Sequence, residues 1–253
     1  MATIAISGKG GSGKTTLAAM IVRHIVMRGR GAVLAVDADP NSCLGLMLGV
    51  EPAGTIAQLR DQAAEKGRAA SGVDRLRSFE YGLQQVITEA KGFDLLTMGR
   101  PEGPGCYCSA NNILRTFLDK LSSQYKYVVI DNEAGMEHLS RRTNGNVDVL
   151  CIVAEQTAVG ETTARRIFAL AKALPIAVKQ IGIVWNKAEQ GTQLDEIETL
   201  GVVPFDPQLL DASANGKTIF TVNETNRAFS AVGRMLDDKL KLWRILNANS
   251  ADR

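Results

Sequence analysis

The chain has 253 residues, 45% of them hydrophobic, and a formal net charge of +2. That length and apolar content suit one sizeable α/β domain over residues 1–253, not a disordered or fibrous chain. The balanced charge, without a dense Lys/Arg block, argues against a nucleic-acid groove. The lack of a basic leader or of a run of about 18 apolar residues argues against a membrane, so a soluble cytoplasmic protein is expected.

The first expected strand, Thr3–Ser7, runs into Gly8-Lys9-Gly10-Gly11-Ser12-Gly13-Lys14-Thr15-Thr16 and then a helix over Lys14–Met27. This is G-x-x-x-x-G-K-[ST] in the strand–loop–helix setting it requires. Glycines let a backbone wrap a phosphate, and the loop amides with the helix N-terminus make an anion site. Lys14 is placed to reach the β/γ-phosphates of ATP or ADP, and Thr15 to ligate Mg²⁺. The next strand, Ala32–Asp37, ends Asp37-Ala38-Asp39-Pro40, with two carboxylates available to Mg²⁺ and its waters. Residues 51–89 are charged and helix-prone, and are read as a helical excursion. A strand over Phe93–Met98 leads into an irregular loop at 100–110 and a helix over Asn111–Ser122. Tyr127–Asp131 is an apolar strand ending in the aspartate of a Walker B element, a carboxylate expected to act on Mg²⁺ through the groups that bind it. A strand over Val147–Ala154, a helix over Glu161–Leu174 and a strand over Gln180–Asn186 follow. Last come a helix over Asp195–Leu200, a strand over Val202–Pro204 and a helix over Asn226–Leu246.

Continuous apolar strands such as Val147–Ala154 are those of a parallel sheet covered on both faces. Their alternation with helices predicts a single doubly wound, mostly parallel sheet, with its ligand at the carboxyl ends of the strands.

Lys9 is not required by the general phosphate-loop pattern, and it cannot easily fold back onto the phosphates of its own loop. Its better use is across a two-fold axis, on the nucleotide of a second copy. A loop with both Lys9 and Lys14 resembles the deviant Walker A family of the nitrogenase iron protein and the Min/Par ATPases. That resemblance implies a dimer. It also implies that Asp39 positions the lytic water and that Asp131-Asn-Glu-Ala-Gly135 is the second switch, with Gly135 sensing the γ-phosphate. By the same resemblance Asn186 contacts adenine, while Pro204-Phe205-Asp206-Pro207 covers it.

Four cysteines in a cytoplasmic protein suggest metal or reactive thiols before disulfides. Cys106 and Cys108 flank Tyr107 in Arg100-Pro-Glu-Gly-Pro-Gly-Cys-Tyr-Cys-Ser109. In extended backbone their Cα atoms lie about 6.5–7 Å apart on one side, the outer edge for a disulfide. The spacing suits two thiolates on one metal, at about 2.3 Å each. A redox-active thiol pair and two packed small residues are the other readings. A tetrahedral site wants four ligands, and a two-fold axis through the loop supplies Cys₄. Lys9 and the Cys-x-Cys loop thus ask for one dimer. Cys151, inside an apolar strand, is read as core, and Cys43 as structural.

With Asp131-Asn-Glu-Ala-Gly-Met-Glu-His138, these motifs resemble the CooC family of nickel-insertion ATPases that mature carbon monoxide dehydrogenase. The resemblance spans Met1 to roughly Phe229. It implies Ni²⁺ or Zn²⁺ held by Cys106 and Cys108 of two chains in a nucleotide- and metal-dependent homodimer, with carbon monoxide dehydrogenase as client. Two histidines and no histidine-rich tail leave transfer, not storage, as the role. His138 reads as an ordinary hydrogen-bonding residue. An acetyl-CoA synthase maturation ATPase and a dimeric iron–sulfur electron-transfer ATPase are alternatives, although the latter takes a cysteine just after the second switch and 131–138 has none. A Min/Par positioning ATPase would need an amphipathic tail. The terminal face of Phe229, Val232, Leu236, Leu240 and Trp243 is read instead as packed on the core.

Overall fold

A computed structural model describes residues 1–66, 82, 84–100, 121, 124–133, 147–174 and 177–240. The strands are β1 (Ala2–Gly8), β2 (Val33–Ala38), β3 (Ile87–Ala90), β4 (Phe93–Thr97), β5 (Tyr127–Asn132), β6 (Val147–Ala154), β7 (Val178–Asn186) and β8 (Glu198–Val203). They form one sheet in the order β3-β4-β2-β5-β1-β6-β7-β8. Every pairing is parallel except β3 with β4, an antiparallel hairpin at one edge. This is the doubly wound, mostly parallel sheet that the continuous apolar runs predict. β1, β5 and β6 are buried along their whole length, which is why they lack a polar alternation.

Helices cover both faces. On one, α1 (Lys14–Met27), α2 (Leu44–Leu48) and α6 (Arg227–Arg234) enclose a core containing Ile4, Ile6, Leu17, Met20, Ile21, Val129, Val184 and Phe229. On the other, α4 (Ala158–Ala173) lays Ala164, Ile167 and Ala171 over Ala5, Leu150, Ile152 and Trp185. Each fully buried Ile, Leu or Val contributes about 1.5–3 kcal/mol relative to exposure. Phe229, Val232, Leu236 and Leu240 are all buried, so these four residues of the terminal apolar face pack on the core as expected, while Trp243 lies outside the described residues. After α6 the chain continues as a π-helical turn over Met235–Lys239. Among the described residues no helix is long and apolar enough to cross a membrane.

Four local readings change. Asp195–Leu200 is not a helix: a tight turn joins Leu194 to Ile197, and Glu198–Val203 is the edge strand β8, beginning four residues before the expected Val202. Ile197 and Leu200 have helical spacing, but the β-branched Thr199, Val202 and Val203 favour a strand, and pairing with β7 decides. Gly201 lets Met235 lie close, since a Cβ there would meet Met235 Sδ at 2.9 Å. Pro207–Ala214 is a helix that the sequence reading lacked, α5, capped by Asp206 with proline at its first position. Within 51–89, α3 (Ile56–Lys66) is helical, whereas Ile87–Ala90 is the hairpin strand β3. α4 starts at Ala158, three residues before the expected Glu161, because Thr157 Oγ1 accepts from Gly160 N at 3.0 Å. The expected helix Asn111–Ser122 lies outside the described residues except for Leu121.

The crossovers run in opposite directions from the centre: β1 leads to β2 on one side, and β6 leads to β7 and β8 on the other. The crevice at that switch point, at the carboxyl end of β1, is where such sheets bind ligands.

Candidate functional site

β1 ends at Gly8 beside β6, where a Cβ would collide with Val153 O. The loop then turns and enters α1 through Gly13, at φ 95°, where a Cβ would meet Asn186 Nδ2 at 2.2 Å. Gly8 therefore excludes any side chain, and at Gly13 one would be strained by the positive φ and would displace the Asn186 amide. No side chain caps α1 and no acidic residue lies in its first turn, so its leading amides remain available to an anion. Lys14 is buried, and its Nζ donates to Lys9 O at 3.3 Å. Ser12 N donates to the same carbonyl at 3.2 Å. Two donors suited to a phosphate thus converge on one backbone oxygen, while the buried Ser12 Oγ has no hydrogen-bond partner. A polyphosphate fits this cradle.

Thr15 Oγ1 donates to Asp131 Oδ2 at 2.6 Å, while Asp131 Oδ1 is buried without a partner. Asp37 and Asp131 are register partners on adjacent strands. Asp37 accepts from Leu44 N at 2.8 Å and from Asp39 N at 3.3 Å. Burial first, and then the neighbouring Asp131, push the Asp37 carboxyl up to about 7. Burial raises Asp131 to about 6, against the Thr15 hydrogen bond and Lys14, which lower it. A hard divalent cation suits this oxygen-rich corner and would hold both groups ionised.

A pH dependence follows. In the metal-free fold both carboxyls bind protons more tightly than in the unfolded chain, so the folded state carries the excess protons and loses stability as pH rises from about 4 to about 7. The melting temperature of metal- and nucleotide-free protein is expected to fall by roughly 5 °C between about pH 5 and about pH 8, and MgADP to reverse the loss. A profile flat in calorimetry over that range would remove the strained carboxylate pair.

Asp39 lies half-buried on the rim, its Oδ1 accepting from Asn41 N and Asn41 Nδ2, both at 2.9 Å. Asn186 Nδ2 donates to Ser12 O at 2.8 Å, which brings the end of β7 onto the phosphate loop. Asp206 instead uses Oδ1 to cap α5 through Gln208 N at 2.8 Å, next to the half-buried Pro204. Lys9 is exposed. The structure thus gathers residues 8–16, Asp37, Asp39, Asp131 and Asn186 at one corner. Cys106, Cys108, Gly135 and His138 lie outside the described residues. Cys151 is fully buried in β6, with its thiol pushed up to about 12 by burial, as its apolar surroundings predict. Cys43 is exposed at the start of α2.

Two residues were not singled out from the sequence. Lys187 Nζ reaches Glu155 Oε1 at 2.6 Å and Gly11 O at 3.5 Å. The signal for Lys187 was its place immediately after Asn186; Glu155 had none beyond following an apolar strand.

Known proteins resemble the chain in sequence and in fold. The profile of the CobQ/CobB/MinD/ParA nucleotide binding domain matches residues 3–219. An uncharacterised ATP-binding protein of Methanocaldococcus jannaschii is 37% identical, over 90% of this chain and 94% of its own. The carbon monoxide dehydrogenase accessory protein CooC of Rhodospirillum rubrum is 32% identical, over 88% and 91%. Among solved structures, a ParA family ATPase from Chlorobium tepidum covers 93% of this chain and 98% of its own with a TM-score of 0.72 at 17% identity. MinD from Pyrococcus horikoshii, complexed with Mg-ADP, covers 95% and 97% with a TM-score of 0.66 at 22% identity.

Proposed function

The chain belongs to the CobQ/CobB/MinD/ParA nucleotide-binding family of P-loop ATPases, and from that premise we propose that it is an ATP-hydrolysing metallochaperone that loads nickel into carbon monoxide dehydrogenase. One observation carries this reading: a Cys106-Tyr107-Cys108 loop in a chain that also has Lys9 in its phosphate loop and is 32% identical to CooC. Lys14 and the amides of residues 8–16 bind the phosphates. Thr15, Asp37 and Asp131 are the residues that would hold Mg²⁺, which supplies charge neutralisation to the β- and γ-phosphate oxygens. Asp39 orients the attacking water, and Asn186, Pro204 and Asp206 form the adenine side.

Binding of ATP draws two copies together, and Lys9 of each reaches the nucleotide of the other. Cys106 and Cys108 of both copies then grip one Ni²⁺ as cargo, a set of thiolates that also accepts Zn²⁺. Loss of the γ-phosphate releases the loops that touched it, the dimer loosens, and the ion passes to the client.

Anaerobic titration of Ni²⁺ and Zn²⁺ into reduced protein, with and without ATP and with mass followed by light scattering, tests this. One ion per two chains with dimerisation is expected. Cys106→Ser with Cys108→Ser is expected to lose tight metal binding and keep ATP binding. Tight binding retained by that double variant, or one ion per monomer regardless of nucleotide, would sink the metal assignment.

A further inference from the structure

Asn186 and Lys187 are consecutive, and they hold consecutive carbonyls of the phosphate loop. Asn186 Nδ2 donates to Ser12 O at 2.8 Å, and Lys187 Nζ lies 3.5 Å from Gly11 O. For both side chains to face the loop, the backbone must turn abruptly at the end of β7. Lys187 has φ 55°, one of two non-glycine residues with positive φ among the described residues. A lysine in that conformation is unusual and is kept where the surroundings demand it. Its ammonium is itself held by Glu155 Oε1 at 2.6 Å, and Glu155 directly follows β6, the strand beside β7. Gln156 Nε2, next in the chain, donates to Thr192 Oγ1 at 2.8 Å, so the turn after β6 and the loop after β7 are joined twice.

The geometry has a consequence for the loop. Carbonyl and amide of one peptide unit point in opposite directions. A carbonyl of Ser12 drawn outward therefore turns Gly13 N–H inward, and a carbonyl of Gly11 drawn outward does the same for Ser12 N–H. Gly13 N–H is then turned toward where a phosphate would sit, while Ser12 N–H points at Lys9 O, the oxygen that Lys14 Nζ also reaches and that a phosphate oxygen would replace as acceptor. The loop's own side chains do not supply this outward pull: Lys14 Nζ reaches Lys9 O instead, and Ser12 Oγ is buried without a partner.

We infer that Lys187 is a positioning residue for nucleotide binding: held by Glu155, it pulls the Gly11 carbonyl outward and keeps the loop amides aimed at the phosphates. It touches neither phosphate nor the reacting atoms, so its effect falls on affinity and not on the chemical step. The inference rests on the loop being a nucleotide site, and the test separates the two.

Steady-state ATP hydrolysis and MgADP affinity are measured for the wild type, Lys187→Met, Lys187→Arg, Lys187→Gly and Glu155→Gln. Lys187→Met is expected to raise KM for ATP and Kd for MgADP about five- to tenfold, the order for one charge-assisted contact, with kcat within about twofold. Lys187→Arg restores most of the affinity. Glu155→Gln acts in the same direction, and combined with Lys187→Met it adds little, as for two residues in one contact. Lys187→Gly relieves the positive φ, so it melts no lower than the wild type yet binds as weakly as Lys187→Met. Unchanged affinity in Lys187→Met and Lys187→Gly overturns the inference, as does a fall in kcat at constant KM. Failure of the wild type to bind MgADP would instead overturn the nucleotide site itself.

Discussion

Lys14→Ala is expected to abolish nucleotide binding, with Kd for MgATP rising at least about 100-fold in equilibrium dialysis or calorimetry. Lys14 is a buried cation at the mouth of α1, only 7% exposed, and without ligand its ammonium rests on a backbone carbonyl, not on a carboxylate. Its ammonium is therefore held by no direct ion pair among the described residues. Hydrogen bonds to charged groups contribute about 1.5–3 kcal/mol each, and two such contacts to phosphate oxygens cover the two decades expected. Lys14 also lowers the pKa of Asp131, so its loss moves that carboxyl toward the neutral form and weakens the cation corner as well. The fold should survive, because the helix keeps its glycine entry and an alanine suits its first turn. A variant that folds and binds MgATP within about threefold of the wild type would contradict the phosphate-loop assignment.

Lys9→Ala is expected to separate binding from turnover: MgADP affinity within about threefold, hydrolysis down about 1,000-fold, and no nucleotide-dependent rise in mass. The Lys9 side chain is exposed and forms no ion pair among the described residues, whereas its carbonyl accepts from Ser12 N and Lys14 Nζ. Alanine keeps that carbonyl, so the loop of the same chain is undisturbed and only a contact to another molecule is removed. A cation supplied in trans to a transferring phosphoryl group is worth about 10³–10⁵ in rate. Wild-type turnover in this variant would refute the trans role, and equal losses of affinity and rate would place Lys9 in its own loop. Lys14→Ala therefore tests the chain's own loop, and Lys9→Ala the proposed contact to a second copy.

The phosphate loop was legible because its chemistry is local: nine adjacent residues carry the glycines, the lysine and the hydroxyl. Asp37 and Asp131 were legible only as strand ends, and their adjacency waited on β2 and β5 being neighbours. Glu155 and Lys187 could not be paired from sequence. They meet because β6 lies beside β7, with Ala154 opposite Trp185. The misread helix over Asp195–Leu200 has the same origin, since the spacing of Ile197 and Leu200 fits a helix and only the edge of β7 makes it a strand. Asp206 carries a double meaning that sequence does not resolve: in the fold its carboxylate is committed to capping α5.

The clip between Asn186 and Ser12 bears on the choice of purine. An amide with one N–H spent on Ser12 O cannot spin freely, and it offers one remaining donor and one oxygen acceptor in a set order. An adenine edge presents a ring-nitrogen acceptor beside an amino donor and can answer both. The N7 edge of guanine presents two acceptors, so on that edge the amide oxygen would be set against O6. If Asn186 meets the base as proposed, turning its amide over to suit the N7 edge of guanine would break its bond to Ser12 O, which ties base choice to the shape of the phosphate loop.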